Sequence, residues 1–331
     1  MANEPIAQAR SAGAPLRPLI SVVVPVYRSE GSIDALYQRL VESLDKISPH
    51  WEIVFVEDCS PDGVWVKIER IAESDGRVRP FQLMRNYGQQ RAIQFGLSQS
   101  EGDFVVTMDD DLQHRPEEIV TLLSALEEYR ADVVIGRYRE KKHGLVRRIG
   151  TRVVKWLAEK TVGVPPTLSL TSFRMMRREV AHAVARIRHS NPVVGYLLYA
   201  VTTRIVNAEV EHDPRRVGTS NYTFRDLIDY FLCMVIDYSD WPLRAVSGMG
   251  VLISLASFSA AIFYVYRWLS GAIQVGGFAT IVVLVTLLSG FVLIGLGIIG
   301  SYLVRTLRQH GPGSYVTVRT SPHRTARSAQ Q

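Results

Sequence analysis

Three consecutive aspartates carry the sharpest chemical signal in this sequence. Met108-Asp109-Asp110-Asp111-Leu112-Gln113-His114 follows a run of apolar and β-branched residues. On an extended strand end, side chains at i and i+2 leave the same face, so Asp109 and Asp111 are expected to point together. Two carboxylates so placed can hold one hard divalent cation, Mg²⁺ or Mn²⁺, that also binds a diphosphate. Mg²⁺ keeps few protein ligands and completes its shell with substrate phosphates. Such a cation offsets charge developing on a leaving diphosphate. Acidic triplets also occur in solvated turns, so position in the fold must decide.

The surrounding segments supply that position. LISVVVPVY, WEIVFVED, VRPFQLM, DFVVTMDDD and ADVVIG read as strands, the β-branched runs suiting strands buried on both faces. Between them, Ile33, Leu36, Leu40 and Leu44 recur at helical spacing, and GVWVKIERIAES, QQRAIQFGLSQS and the stretch opened by Pro116 read as helices. Strands alternating with helices predict βαβ units and a mostly parallel sheet. Ligands of such sheets bind beyond the C-terminal strand ends, where Asp58, Asp109 and Asp111 fall. Residues 137–222 read as irregular and basic.

The chain has 331 residues, a net charge of +6 and two cysteines far apart. This excludes a disulfide framework and places the soluble part in a reducing compartment. Residues 1–18 lack an apolar core for a secretory signal and read as a disordered tail. Residues 223–244, from FRDLIDYF to Arg244, suit an amphipathic helix at a membrane interface. No charged residue occurs from Ala245 to Tyr266 or from Trp268 to Val304. Each run exceeds the ~20 residues that cross a bilayer, so residues 245–304 read as a two-helix transmembrane hairpin turning at SGAIQVGG. Arg244, Arg305 and Arg308 flank it, which puts both termini and the catalytic domain in the cytoplasm, on the inner membrane. Residues 305–331 form a basic tail, on the membrane face or over the enzyme. The spans and the carboxylate edge argue against nucleic acid as the partner of the basic charge.

Taken together, SVVVPVY, VEDCSPDG, RNYGQ and MDDDLQHRPEE resemble the family 2 glycosyltransferases of GT-A fold, and more narrowly the dolichyl- and undecaprenyl-phosphate sugar transferases. The resemblance spans residues 19–308 and makes residues 19–222 a GT-A catalytic domain. It implies an inverting enzyme that moves sugar from a nucleotide-sugar, a UDP-sugar by preference, to a polyprenyl phosphate. By this likeness the nucleotide is held at Pro25, Tyr27, Asp58, Arg85, Gly88, Asp109 and Asp110. The same likeness gives the metal to Asp109, Asp111 and Gln113. An acceptor phosphate is already anionic and needs no strong base; it needs cations. By the same resemblance Arg137, Arg148 and Arg174 are expected to supply them, with Arg216 behind, and a homotetramer is implied.

The sequence also departs from the family pattern. Arg28-Ser29 stands for Asn-Glu, Glu57-Asp58 for Asp-Asp, Leu168 for an aspartate, and Asn221 for a lysine. Two other readings share the fold: a processive polysaccharide synthase and an inactive membrane scaffold. The first usually carries Gln-x-x-Arg-Trp, where this chain has Tyr264 before Arg267-Trp268. The second is opposed by the intact Asp58, Asp109, Asp111 and Gln113.

Overall fold

Every side chain of Ile20–Val26 (β1) and Trp51–Glu57 (β2) is buried. Strands with no solvent face belong inside a parallel sheet covered on both sides. The computed structural model shows that arrangement; it describes residues 20–138, 165, 168–189, 191–213, 248–250, scattered positions from 252 to 306, and 316–319. The remaining strands are Val78–Gln82 (β3), Phe104–Thr107 (β4), Val133–Tyr138 (β5), Arg174–Arg177 (β6) and Ile205–Val210 (β7). All seven form one sheet in the order β3-β2-β1-β4-β6-β5-β7. Only β6 runs against its neighbours; the other pairings are parallel.

Helices cover both faces. Ile33–Leu44 (α1), Val64–Ser74 (α2) and Ile119–Glu128 (α4) pack with Val22, Val24 and Val26. Gln89–Gln99 (α3), Arg178–Arg186 (α5) and Val194–Val201 (α6) pack with Val23, Val54 and Val56 on the other face. Ile33, Leu36, Leu40 and Leu44 are fully buried, and each contributes about 1.5–3 kcal/mol by leaving water. Gly96 lets α3 lie directly on the sheet: a Cβ there would overlap Val23 Cγ1 and stand 3.1 Å from Val56 Cγ2.

The chain passes from β1 to β2 on one side, then returns to place β4 on the other side of β1. This reversal opens a crevice at the C-terminal strand ends. Val23 O accepts the Met108 N–H. Two residues on, Pro25 has no N–H to continue the ladder, and the β1–β4 register stops at Val23 and Thr107.

Two expectations change here. Strand β4 ends at Thr107, so strand alternation does not aim the aspartates; the turn beyond it does. Residues 137–222, expected to be irregular, contain β6, α5, α6 and β7. RMMR is short and begins and ends with arginine, so nothing local marks it as a strand. Pairing with β4 on one side and β5 on the other makes it one.

The expected tail at 1–18 and the interface helix at 223–244 lie outside the described residues. Among the described residues no helix is long and apolar enough to cross a membrane. The positions described between 248 and 306 are helical apart from Ser270, in a turn, and Gly277. Large apolar side chains among them, such as Leu252, Phe263, Ile281 and Leu296, are exposed.

Candidate active site

Strands β1, β2 and β4 each end in a loop with a non-glycine residue in the left-handed region: Arg28 (φ 57°), Cys59 (φ 53°) and Leu112 (φ 61°). Such backbone costs about 1–3 kcal/mol per residue and concentrates at functional sites. Asp110 ties two of these loops together. Its Oδ2 accepts the Tyr27 N–H (3.0 Å) and the Ser29 hydroxyl, and its carbonyl accepts Ser32 Oγ–H (2.9 Å). Burial pushes its carboxyl up to about 6 despite these bonds. Asp110, expected at the nucleotide, thus holds the β1 loop in place.

Asp109 sits beside it, with both oxygens engaged. Gln89, the first residue of α3, donates Nε2–H to Oδ1 (2.6 Å), and Ser172 donates Oγ–H to Oδ2 (2.6 Å). His114 lies buried beneath: its Nδ1 accepts the Asp109 N–H (2.9 Å), which leaves the ring proton on Nε2, 3.7 Å from the carboxylate. Burial lowers the His114 pKa, while Asp109 and Asp111 oppose that shift. The imidazole stacks near Phe173 and Tyr138, with centroids 5.3 and 6.0 Å away. Burial, and then the charge of Asp109, raises the Tyr138 phenol. Asp111 Oδ1 accepts the Gln113 N–H (3.1 Å), an Asx turn that folds the acidic loop back.

Asp58 is buried and grips a neighbouring loop. Its two oxygens accept Tyr87 N–H and Gly88 N–H, both at 2.7 Å. Gly88 needs its φ of +89° to begin α3. Arg85 lies over the Tyr87 ring, 4.6 Å from the centroid. Asp58, Arg85 and Gly88, expected to touch the nucleotide separately, therefore form one unit that delivers Gln89 to Asp109. Tyr27 is 40% exposed at the β1 end, next to buried Pro25. Glu30 has turned to Gly63, whose N–H it accepts at 3.1 Å.

Glu57, which replaces an aspartate of the family pattern, is buried. Burial raises its carboxyl above the ordinary 4.5, although Ser60 N–H is donated to it. A carboxyl raised on folding costs stability when ionised. That penalty is absent below the unfolded-chain pKa and complete above the folded one. Glu57→Gln is expected to raise Tm at pH 8, with the gain vanishing towards pH 4. A pH-independent change in thermal melts would contradict this.

Among the arginines, Arg137 is exposed at the end of β5 and pairs with Glu209 across β7 (3.0 Å). Arg174 heads β6 opposite Thr107, the last residue of β4. It is only 3% exposed. Burial pulls its pKa down to about 10, with the Asp109 carboxylate opposing. It therefore stays a cation at neutral pH, and its Nη1 has no hydrogen-bond partner among the described residues. Arg148, Arg216 and Asn221 lie outside the described residues.

The donor set suits a hard cation. Asp109 and Asp111 lie close enough together to act on the same His114 and Tyr138, and Gln113 follows in the same turn. Among the described residues no three His, Cys, Asp or Glu side chains gather to hold a metal by themselves. A cation held here by two carboxylates takes its other ligands from water or a bound diphosphate. Gln89, Ser172 and His114 were missed as site residues. Gln89 and His114 lie inside motifs quoted above and Ser172 does not, and only the fold shows that the three meet at Asp109.

In a mostly parallel α/β sheet, carboxylates at the topological switch point stand where ligands of doubly wound folds bind. The sequence profile of Glycosyl transferase family 2 matches residues 21–184. The undecaprenyl-phosphate 4-deoxy-4-formamido-L-arabinose transferase of Proteus mirabilis is 31% identical over 289 residues, covering 86% of this chain and 88% of that protein. Its counterpart from Aeromonas hydrophila is 31% identical over 320 residues, covering 94% and 95%. The chain belongs to glycosyl transferase family 2. Among solved structures, glucosyl-3-phosphoglycerate synthase from Mycobacterium tuberculosis, in complex with Mn²⁺, UDP and glucosyl-3-phosphoglycerate, matches with a TM-score of 0.46 and 20% identity, covering 67% of this chain and 78% of that one.

Proposed function

We propose that the protein transfers a sugar from a nucleotide-sugar, with UDP the first nucleotide to try, to the phosphate of a polyprenyl lipid. Transfer proceeds with inversion at the cytoplasmic face of the inner membrane. The observation that carries this reading is the pair Asp109 and Asp111 at the β1–β4 crevice. Gln89, Ser172 and His114 fix the first of them, and the buried cation Arg174 lies at the neighbouring strand end. A Mg²⁺ or Mn²⁺ ion at these carboxylates and Gln113 would neutralise the departing nucleoside diphosphate.

The chain's own residues do the rest by positioning and charge. Asp110 and Asp58 hold the loops whose outer residues, among them Tyr27 and Arg85, line the donor side. A lipid phosphate arrives ionised, so no general base is required. Arg137 offers a guanidinium at the same sheet edge, and its surface pair with Glu209 is worth only about 0–1 kcal/mol; a phosphate can replace that partner. Arg148 and Arg174 complete the acceptor cations. The names of the two relatives, both undecaprenyl-phosphate transferases, support this acceptor.

Membrane attachment completes the reading. The charge-free runs within 245–304 have helical described positions at which large apolar side chains such as Leu252, Ile281 and Leu296 are exposed. Two spans, an interface helix at 223–244 and assembly as a homotetramer would hold the site at headgroup level. The test is an assay of the purified protein in detergent with undecaprenyl phosphate, Mn²⁺ or Mg²⁺ and a panel of nucleotide-sugars. Mass spectrometry should find a glycosyl-phospho-lipid that EDTA abolishes. A polymeric product would favour a processive synthase. Nucleotide binding without transfer from any donor would favour the inactive scaffold.

A further inference from the structure

Far along the chain, beyond Arg305, residues 316–319 return to the catalytic sheet. Met84 N–H donates to Thr317 O and Arg319 N–H to Gln82 O, both at 2.9 Å, and Leu83 and Val318 form an antiparallel bridge. The segment thus extends the sheet beyond β3, its terminal strand. Val316 and Val318 pack on the core cluster of Val54, Val56, Leu83 and Ile93. Covering a sheet edge needs no more than this.

One further contact does more. Thr317 donates its N–H to Tyr87 Oη at 3.2 Å, across 230 positions of sequence. Tyr87 is the residue whose own N–H, with that of Gly88, is held by Asp58. The next residue but one is Gln89, whose amide rests on Asp109. A continuous set of contacts therefore runs from the C-terminal segment to a carboxylate of the candidate metal site. We infer that residues 316–319 are a positioning element of the donor site, with Thr317 holding Tyr87 so that the Arg85–Gly88 loop sets Gln89 against Asp109. The inference rests on the reading of that site given above. The segment follows the second charge-free run, so it ties the donor loop to the part of the chain assigned to the membrane.

Two variants in the full-length protein test this. Tyr87→Phe removes the oxygen, which meets Arg85 as well as Thr317, and keeps the ring beneath Arg85. Thr317→Pro removes the donor N–H together with the side-chain hydroxyl that also bonds Tyr87, leaves Arg85 untouched, and keeps the carbonyl that Met84 uses. UDP binding is measured calorimetrically with Mn²⁺, and transfer is measured as separate KM values for donor and lipid. Each variant is expected to weaken UDP binding and raise donor KM about five-fold, the size of one hydrogen bond. Lipid KM should not change, Tyr87→Phe should leave Tm unchanged, and the double variant should be no worse than either single one. If wild type binds UDP and both variants bind it equally well, the inference is wrong and the site reading stands. A Tm loss in Tyr87→Phe, with donor and lipid KM rising together, would reduce the contact to a structural one and also overturn it. If wild type binds no nucleoside diphosphate, the site reading and this inference fall together.

Discussion

Asp111→Asn is expected to lower transfer by about 10³-fold, close to 4 kcal/mol of transition-state stabilisation, and to leave Tm unchanged. Its carboxylate lies in a turn, and an amide oxygen can still accept the Gln113 N–H that Asp111 Oδ1 accepts at 3.1 Å. The fold therefore loses little, while the proposed cation would lose a charged ligand. Asp109→Asn should lose as much activity and also lower Tm. An amide there can still accept from Gln89 and meet Ser172, but it no longer balances Arg174, which is buried and feels the Asp109 charge directly. The two variants thus separate a ligand in a turn from a ligand that also completes the core. Equal Tm values for both, or near-normal transfer by Asp111→Asn, would contradict this assignment.

Gly96→Val should produce the largest loss of stability of any single change in α3. A Cβ at this position already overlaps Val23 Cγ1, and the obstruction is a strand side chain in a packed core, not the tip of a flexible one. Replacing a mid-helix glycine normally gains up to about 1 kcal/mol in helix propensity. Overpacking costs about 1–3 kcal/mol or more, and two γ-methyls add to the overlap, so the packing term wins. A net loss near 3 kcal/mol lowers Tm by roughly 10 °C in a domain of this size. Nucleotide binding should weaken as well, because α3 carries Gln89 to Asp109. Thermal melts and UDP titrations check both effects; a variant as stable as wild type would mean that α3 does not lie on β1 and β2 as described.

The parts of this fold that were legible are those where a local pattern and the tertiary environment agree. Strands β1 and β2 are continuous β-branched runs because both of their faces are covered. Helix α1 was marked by Ile33, Leu36, Leu40 and Leu44 because one face of it meets the sheet. Asp109 and Asp111 could be placed at the ligand edge from strand order alone. What stayed hidden was non-local. RMMR becomes β6 only through neighbours contributed by distant segments, and Arg174 is buried by that pairing. Asp58, expected at the nucleotide, also accepts N–H bonds from Tyr87 and Gly88 of a loop 29 and 30 positions away. Ser172 reaches Asp109 across 63 positions, and Thr317 reaches Tyr87 across 230. No periodicity records such meetings. The aim of the two aspartates was likewise set by the turn through Leu112, whose left-handed backbone no strand pattern announces.

The proposed function depends most on Asp109 and Asp111 as joint holders of a metal and a diphosphate. A structure of the protein with UDP and Mn²⁺, with the metal located by its anomalous scattering, addresses this directly. A Mn²⁺ peak is expected within coordination distance of both carboxylates and of the diphosphate, in the crevice between β1 and β4. A nucleotide bound without metal at these aspartates, or a metal held elsewhere on the sheet edge, would contradict it.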